Sequence, residues 1–339
     1  MQLPKFFTDE RHLEDVMSTP SQALLSDMER LEGDIMVLGA AGKMGPTLAR
    51  MAKRAAPHKR IIAVARFTDA EALHKLQTQG IECIQSDLLN QDALNALPDV
   101  SNIIYMAGRK FGSQGSEWLT WAMNAYLPAM VAQRFHQSKI SVFSTACVYP
   151  FVSTNGHGAL ESVSPTPVGE YANSCVARER MFEHFSHALD TSGCLLRLSY
   201  AIDMRYGVLH DLAQSLIRQQ EISLAMGHAN IIWQGDANEI AIRSLLHCRQ
   251  PTQAINLSGP IISIRAAALG LAQRLGVKAE FIGTEAPTAW LVDCTKMNSL
   301  FGTLQVSLDT MLDWTAAWAQ QGKASLGKPT HFEVRDGNY

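Results

Sequence analysis

The sequence lacks the cysteine and histidine spacings that mark metal sites. Its six cysteines, at positions 83, 147, 175, 194, 248 and 294, form no C-x-x-C pair, and its eleven histidines show no H-x-x-x-H spacing. In a chain of 339 residues, widely separated cysteines indicate isolated, reduced thiols rather than a disulfide framework or a zinc site. We therefore expect no metal.

The sequence also has no excess of positive charge and no long apolar run. Lys and Arg together number 29 against 32 Asp and Glu, so the net charge is −3, and this balance offers no electrostatic footprint for nucleic acid. No apolar run approaches the roughly 20 residues that span a bilayer. Residues 1–9 also lack the long apolar stretch of a signal peptide. We expect a cytoplasmic protein whose partner is a small molecule rather than nucleic acid or a membrane.

The sequence does contain a regular alternation of apolar strands and helical segments from residue 34 onward. Continuous apolar strands separated by helices predict a parallel sheet that is covered on both faces. The alternation weakens after residue 200, and we see no repeat or low-complexity linker. The strand candidates are residues 35–38, 61–65, 81–85, 102–106, 140–143 and 194–198. The helix candidates include residues 70–78, 118–137, 208–219 and 264–275.

A glycine-rich turn joins the first strand candidate to a helical segment. Residues 39–45 read Gly-Ala-Ala-Gly-Lys-Met-Gly and are followed by Pro46, which suits a first helical turn because its missing N–H removes no helical bond. Glycines let the backbone turn tightly and approach a pyrophosphate, whose charge then lies at the positive end of the helix. Strand, turn and helix together predict a dinucleotide site. Its expected contacts are Gly39, Gly42, Lys43, Met44 and Gly45.

These features predict an α/β fold with a Rossmann-type doubly wound parallel sheet and a smaller C-terminal α/β substrate-binding region. Residues 33–198 would form the dinucleotide-binding domain. Residues 1–32 would form an N-terminal helical extension with a short capped helix and a structural role. Residues 199–339 would form most of the substrate-binding region, with segments that return to the sheet.

Several further blocks, in order along the chain, resemble the extended short-chain dehydrogenase/reductase family, the branch of NAD(P)-dependent epimerases and dehydratases. They are residues 85–88 (QSDL), 104–110 (IYMAGRK), 123–127 (MNAYL), 143–150 (FSTACVYP) and 293–302 (DCTKMNSLFG). The resemblance covers roughly residues 34–318. It implies that the carboxylate at position 87 bonds the adenine amino group and that small residues after the fourth strand let the cofactor lie close. The cofactor contacts that it adds are Asp87, Leu88, Ala107, Gly108, Lys110 and Asn124.

The residue after the second strand bears on the choice of dinucleotide. Rossmann-type sites select NAD with a carboxylate there, whereas a nearby arginine accommodates the 2′-phosphate of NADP. Arg66 occupies this place, and Asp69 follows three residues later. A guanidinium is well matched to phosphate and also stacks on adenine. We expect NADP in preference to NAD; the alternatives are a solvated Arg66, or an Arg66 that stacks on the adenine of NAD.

The resemblance also implies catalytic residues. In this family a tyrosine acts as acid and base, a serine or threonine bonds the substrate oxygen, and a lysine one helical turn after the tyrosine lowers its pKa. Free tyrosine titrates near 10, so a nearby cation makes it usable near neutral pH. Tyr171 and Thr145 match the first two positions, and Glu179 falls where the family often has an acid. The lysine position holds Cys175.

This departure leaves several alternatives open. Lys110 or Arg109 could replace the lysine charge, the chemistry could do without a strongly activated tyrosine, or the protein could bind a dinucleotide without turnover. Tyr171 could also be a packing residue at the start of a helix, if the match to the family pattern is out of register. Nothing in the sequence supports Cys175 as a nucleophile, because a buried cysteine is more often a small apolar side chain.

On the substrate side, the resemblance places Arg197 at the end of the sixth strand, with a structural role. Nucleotide-sugar enzymes of the family usually carry an arginine where this chain has Ala229. Because a dianion buried without a partner is costly, its loss argues against a nucleotide-diphosphate sugar. Asp236 resembles an aspartate that begins a helix as its N-cap. The candidate substrate contacts are Tyr200, Arg205, Trp233 and Gln234, with Arg205 either holding a carboxylate or forming an exposed salt bridge.

The sequence thus predicts an enzyme, an NAD(P)-dependent oxidoreductase or epimerase that acts by hydride transfer on a small sugar, sugar acid or polyol. The alternative is a non-catalytic dinucleotide-binding sensor or assembly protein. A dehydratase ranks low, because residues 146–147 provide no acid beside Thr145. A homodimer is possible. The tail 328–336 could fold over the cleft or over a partner subunit.

Overall fold

A seven-stranded parallel sheet forms the centre of the protein in a computed structural model that describes residues 3–110 and 115–337. The strands are β1 (Ile35–Leu38), β2 (Ile61–Ala65), β3 (Glu82–Gln85), β4 (Asn102–Tyr105), β5 (Lys139–Thr145), β6 (Val152–Ser153), β7 (Gly193–Leu198), β8 (Ala201–Ile202), β9 (Ile222–Ser223), β10 (His228–Asn230), β11 (Ile232–Trp233), β12 (Gln253–Leu257), β13 (Ile261–Ser263), β14 (Phe281–Ile282) and β15 (Thr288–Ala289). The order in the sheet is β3-β2-β1-β4-β5-β7-β12. This order reverses between β1 and β4, which is where α/β sheets bind ligands.

Helices cover both faces of this sheet. They are α1 (Glu10–Met17), α2 (Gln22–Arg30), α3 (Gly45–Ala55), α4 (Ala70–Thr78), α5 (Gln91–Asn95), α6 (Glu117–Trp121), α7 (Leu127–Arg134), α8 (Gly169–Leu189), α9 (Val208–Ile217), α10 (Gln234–Arg243), α11 (Ile264–Leu275), α12 (Thr295–Phe301) and α13 (Leu308–Gln320). A π-helical turn (Ala122–Tyr126) separates α6 from α7, and 3₁₀ turns span Ala146–Val148 and Ser244–His247. The predicted α/β fold class is confirmed.

The alternation of side chains along β1 explains why both faces need cover. Ile35 and Val37 pack in a cluster with α3 and α10. Met36 and Leu38 point the other way and pack with α7 and α8. Successive strand residues face opposite sides of a sheet, and all four are fully buried. An apolar run without polar alternation is therefore what this two-sided sheet requires.

Element bounds follow the sequence closely where the periodicity is strong. β1, β2, α4 and α11 match the predicted ranges, while β5 extends the prediction by one residue before it and two after it. The predicted helix 118–137 is instead divided by the π-helical turn. The N-terminal extension contains a helix that we did not predict, α1, ahead of α2, whose N-cap Ser21 accepts a bond from the Leu24 backbone N–H.

The N-terminal extension packs on the second half of the chain. Phe7 is stacked on Trp233 with ring centroids 6.1 Å apart and lies 4.8 Å from the ring of Trp314. Leu13 and Met17 are fully buried in the same cluster. The extension is therefore part of a hydrophobic core.

Candidate active site

A small cavity lies beside the carboxyl ends of the central strands and the start of α8. Its volume is about 140 Å³. The side chains around it come from the glycine turn, from β5, from α8 and from the segment after β7. The residues that line it are Lys43, Met44, Lys110, Ser144, Thr145, Ala146, Cys147, Tyr171, Leu198, Ser199, Tyr200, Ala201, Tyr206 and Trp290.

The glycine turn has the close backbone approaches that a dinucleotide site needs. Gly39 has φ +90°, and a Cβ there would lie 2.6 Å from the backbone N of Ala107. A Cβ on Gly45 would lie 2.3 Å from the carbonyl oxygen of Ala40. Both contacts are impossible for a side chain, so these positions require glycine. The turn leads directly into α3, which starts at Gly45 and has Pro46 in its first turn, as a phosphate-binding helix N-terminus requires.

Lys43 extends from this turn into the cleft. Its Nζ lies 2.9 Å from the centroid of the Tyr206 ring, an arrangement that a cation and an aromatic face stabilise. The surrounding walls desolvate the ammonium and lower its pKa to about 7, although the nearby Asp203 carboxylate acts in the opposite direction and the Lys110 charge adds to the decrease. Lys43 thus links the turn to the segment after β7.

The residues predicted to bind the adenosine part of the cofactor lie just after β2 and β3. Asp87 is exposed, and its carboxylate accepts a bond from the backbone N of Leu89, while Leu88 is buried. Arg66 is exposed and forms no ion pair with the residues that the structure describes. The Asp69 carboxylate caps α4 by accepting bonds from two backbone N–H groups. Asp69 is therefore committed to the helix, whereas the charge of Arg66 is available.

The candidate catalytic pair comes together at the cavity. The side chains of Tyr171 and Thr145 both line it, and Thr145 accepts a bond of 3.2 Å from the backbone N of Cys147. Burial raises the pKa of Tyr171 well above its ordinary value, Cys175 and Cys147 act in the same direction, and the Arg178 charge and the Thr145 bond oppose them. The resting phenol is therefore protonated at neutral pH.

Lys110 and Arg178 bring positive charge near this tyrosine. The Nζ of Lys110 lies 5.8 Å from the centroid of the Tyr171 ring, and burial lowers the pKa of this ammonium. Arg109, the other candidate, donates to Ser116 instead. Of the two cations proposed from the sequence, only Lys110 lines the cavity.

Arg178 is a residue that sequence reasoning missed. It is 6% exposed, and its Nη atoms donate to the Asn124 side chain at 2.6 Å and to the Phe143 carbonyl at 2.8 Å. No carboxylate lies within ion-pair distance of it in the described ranges, and its Nε has no partner there. The available signal was its spacing: residue 178 follows Tyr171 by two helical turns, so both lie on the same side of α8.

Asn124 supports this arrangement from the π-helical turn. Its Oδ1 accepts from Arg178 and from the backbone N of Arg109, and its Nδ2 donates to Ser174 and to the carbonyl of Arg109. The amide is thus saturated by protein groups, since a side-chain amide offers two donors and two acceptor positions. Asn124 holds the fourth-strand loop and α8 together beneath the predicted cofactor contacts Ala107 and Gly108.

A second arginine lies behind the cavity and is fully neutralised. Arg197 forms a buried ion pair with Glu179 at 2.7 Å and donates to the Tyr149 hydroxyl, also at 2.7 Å. Glu179 accepts a further bond from Ser144 at 2.5 Å. These bonds join β5, β7 and α8, which agrees with the structural role expected of Arg197.

The structure corrects three of the four predicted substrate contacts. Trp233 is 2% exposed and packs among aromatic rings of the extension and α13. Gln234 is fully buried and donates to Met17 and to Thr47. Arg205 pairs with three carboxylates, those of Asp203, Glu10 and Glu14. Only Tyr200 lines the cavity.

The physical reason for these corrections is the N-terminal extension. Phe7 packs against the Trp233 ring, and Met17 accepts a bond from the Gln234 amide nitrogen. Asp236 also differs from its predicted role: α10 begins two residues earlier, and Asp236 accepts a bond from the backbone N of Val306. Burial raises the pKa of Asp236 to about 7, with the Glu239 charge adding to this increase and the backbone bond from Val306 acting against it.

Two features are absent from the described part of the chain. None of its helices is both long and apolar enough to cross a membrane. No cluster of three or more metal-ligating side chains occurs within residues 3–110 and 115–337.

Comparison with known proteins gives a family and a fold. A family profile described as the NAD dependent epimerase/dehydratase family matches residues 35–249. A search of curated proteins found no match. Among solved structures, UDP-glucuronic acid 4-epimerase from Bacillus cereus, in complex with UDP-glucuronic acid and NAD, is 17% identical, with 85% of this chain and 99% of that chain covered and a TM-score of 0.69.

Two further solved structures share the fold. dTDP-glucose 4,6-dehydratase from Bacillus anthracis str. Ames, in complex with NAD, is 14% identical, with 85% of this chain and 96% of that chain covered and a TM-score of 0.72. UDP-glucose 4-epimerase from Thermus thermophilus, in complex with NAD, is 16% identical, with 85% of this chain and 99% of that chain covered and a TM-score of 0.70.

Proposed function

The chain belongs to the NAD dependent epimerase/dehydratase family, and we propose that it is an NAD(P)-dependent oxidoreductase or epimerase acting on a small polyhydroxylated substrate. The observation that carries this proposal is the placement of Tyr171 and Thr145 in the wall of one cavity, together with Lys43 and Met44 of the glycine turn. The pair can hold one substrate oxygen and exchange a proton with it. The bound dinucleotide supplies the hydride donor and acceptor.

Each side chain then has a defined task. The Thr145 hydroxyl bonds the reacting oxygen of the substrate and positions it against the tyrosine. Tyr171, protonated at rest, gives its proton to a carbonyl oxygen during reduction and takes it back from a hydroxyl during oxidation. The phenolate formed in the first case needs a positive charge to be stable near neutral pH. Lys110 and Arg178 lie close enough to provide that charge.

We propose NADP as the preferred cofactor, with NAD as the alternative. Support comes from the exposed guanidinium of Arg66 just past β2 and from the commitment of Asp69 to the cap of α4. A 2′-phosphate would find a cation at this strand end and no free carboxylate. The glycine contacts at Gly39 and Gly45 fit either dinucleotide equally.

We propose a free sugar, sugar acid or polyol as the substrate class. Residues 228–233, ahead of α10, include Ala229 and contain no lysine or arginine that could pair with a diphosphate. The cavity of about 140 Å³ is also small beside typical ligand sites of roughly 300–1,000 Å³. A compact substrate fits these two observations better than a nucleotide-linked sugar does.

A non-catalytic dinucleotide sensor is the second candidate. It is favoured by one observation, the buried Cys175 at the position where the family has lysine, together with the raised pKa of Tyr171. The two candidates differ in whether reduced cofactor is ever oxidised by a substrate.

The test is the substitution Tyr171→Phe, with Tyr126→Phe as a matched control because Tyr126 is exposed outside the cavity. We expect Tyr171→Phe to reduce turnover by about a hundredfold or more while NADPH affinity stays unchanged. NADPH oxidation would be followed with a panel of free keto-sugars and keto-sugar acids, and affinity by fluorescence titration. Wild-type turnover in Tyr171→Phe would remove this residue from the mechanism, and binding without turnover on any substrate would favour the sensor.

A further inference from the structure

The chain continues beyond α13 as a segment that folds back over the molecule. We define residues 321–337 as the C-terminal segment. Its first part is fixed to α13 and α9: the Trp318 indole N–H donates to the Ala324 carbonyl at 2.9 Å, and the Ser325 hydroxyl bonds the His210 ring at 2.9 Å. Thr330 donates through its backbone N–H and its hydroxyl to Asp211, at 2.8 and 2.6 Å.

The later part of the segment reaches the elements that bound the cavity. Arg335 donates to the Thr288 carbonyl at 2.7 Å, two residues before the cavity residue Trp290. Its guanidinium also lies 4.2 Å from the ring centroid of Phe151, which packs against Trp290 with centroids 4.4 Å apart. The segment therefore supports the Trp290 side of the cavity.

The end of the segment touches the helix that carries the candidate catalytic tyrosine. Gly337 lies so close to the start of α8 that a Cβ on it would come within 2.3 Å of the Val168 carbonyl oxygen. Gly169, which begins α8, has φ +81°, and a Cβ on it would lie 2.6 Å from the Gly337 carbonyl oxygen. Tyr171 follows two residues later. The two backbones are thus in direct contact, with no room for a side chain between them.

The segment also brings negative charge to this side of the cleft. Burial is the main cause of the raised pKa values of Tyr200 and Asp211, and the Glu333 carboxylate increases both further. The donors of Arg335, by contrast, are occupied by carbonyl oxygens and by the Thr288 hydroxyl.

We infer that the C-terminal segment is a specificity element that holds the Trp290 wall of the cavity and the start of α8 in place, so that a free sugar or sugar acid reaches Thr145 and Tyr171 and a nucleotide-linked sugar does not. This inference rests on the proposed function, because it takes the cavity at Tyr171 as the place of reaction. It assigns the limit on substrate size to the segment itself.

The test compares three variants of the full chain: a truncation after Gly327, the milder substitution Arg335→Gln, and Lys328→Gln as the control. Lys328 is an exposed residue of the same segment, and its replacement removes one charge, as in Arg335→Gln. The probe is the thiol of Cys147, which lines the cavity and is half-buried. Labelling by methyl methanethiosulfonate, a small reagent, and by fluorescein-5-maleimide, a bulky one, would be followed at Cys147 by peptide mass spectrometry.

In the intact chain we expect methyl methanethiosulfonate to modify Cys147. Fluorescein-5-maleimide should label the same thiol at least about tenfold more slowly than the small reagent does, since access governs thiol labelling. Truncation should abolish this difference, Arg335→Gln should reduce it, and Lys328→Gln should leave it unchanged. Equal labelling by the bulky reagent in the intact and truncated chains would overturn the inference. If the truncated chain loses NADPH binding or its thermal transition, the Arg335→Gln variant provides the test: an unchanged difference between the two reagents in this variant would overturn the inference.

A second measurement separates this inference from the proposed reaction. UDP-glucose would be titrated into the NADPH-bound intact protein, and we expect no binding. Tight binding would overturn the specificity inference and leave the roles of Tyr171 and Thr145 untouched. Absence of turnover on every free sugar would contradict the proposed reaction, whereas the size dependence of Cys147 labelling would still stand.

Discussion

The two sides of the cleft differ in how their charged side chains are partnered. On the cofactor side, Arg66 is exposed without an ion pair in the described chain, and Arg178 is buried with no carboxylate at ion-pair distance there. On the side that the sequence predicts to bind substrate, Arg205 is held by three carboxylates, and the Gln234 amide nitrogen donates to Met17 and Thr47. Uncompensated charge beside a cleft indicates a ligand or a reaction, whereas neutralised charge indicates structure.

This difference also explains why the family motifs are more informative about the cofactor side of the cleft than about the substrate side. The glycine turn and the strand ends have backbone geometries typical of a dinucleotide site, so the family motif predicts contacts there by position. The segment 229–236 is packed by an N-terminal extension that the family blocks do not include. Its residues have the types expected of a binding site, but Phe7 packs on Trp233 and Met17 accepts a bond from Gln234.

The largest effect should come from breaking this packing at Trp233. We expect Trp233→Ala to lower the free energy of unfolding by about 3–5 kcal/mol, as is typical of a buried aromatic ring, because Trp233 packs against Phe7 and Trp314. NADPH affinity of the folded protein should not change. Urea denaturation followed by fluorescence, together with cofactor titration, measures both.

Trp118→Ala is the control for that experiment. Trp118 is 72% exposed, so its removal should change stability by no more than about 0.5 kcal/mol. If Trp233→Ala instead left stability intact and raised only the KM for substrate, Trp233 would belong to the substrate site after all.

A smaller effect should come from the uncompensated cation on the cofactor side. A positive charge near Tyr171 stabilises its phenolate and lowers its pKa, so Arg178→Gln should raise the pKa and, in the direction of substrate oxidation, move the rising limb of the pH–rate profile to higher pH. Turnover at neutral pH should fall by about tenfold, and Arg178→Lys should restore most of it. Ultraviolet titration of tyrosinate, taken as the difference from Tyr171→Phe, reports the same shift without a substrate.

Lys110→Gln provides the comparison for this prediction, because Lys110 is the other cation near the ring. A rise in the pKa of Tyr171 in Lys110→Gln, with no rise in Arg178→Gln, would show that Lys110 is the cation that stabilises the phenolate. Equal loss of activity in Arg178→Gln and Arg178→Lys, with an unchanged titration, would show that Arg178 only supports Asn124 and the Phe143 carbonyl.

The fold could be predicted from the sequence because strand burial and the glycine turn are local signals. β1 and β2 are continuous apolar runs, and the glycines of residues 39–45 follow β1 directly and lead into α3. The substrate side could not be predicted, because residues about 200 positions apart decide it: Arg205 meets Glu10 and Glu14, and Trp233 meets Phe7. Arg178 shows an intermediate case, visible in the helical spacing but not in any motif.

The smallest effect should come from Arg66, which tests whether the charge left available at the end of β2 serves the cofactor. We expect Arg66→Gln to weaken NADPH binding about fivefold, since an exposed ion pair contributes up to about 1 kcal/mol, and to leave NADH binding unchanged. Arg60→Gln is the control, because Arg60 lies before the same strand and pairs with Glu82. An equal loss of affinity for NADPH and NADH would mean that Arg66 stacks on adenine. No loss of affinity for either cofactor would mean that Arg66 is a solvated charge. A selective loss would extend the contrast between the two sides of the cleft to the adenosine end, because the unpaired arginine there would then have its partner in the ligand.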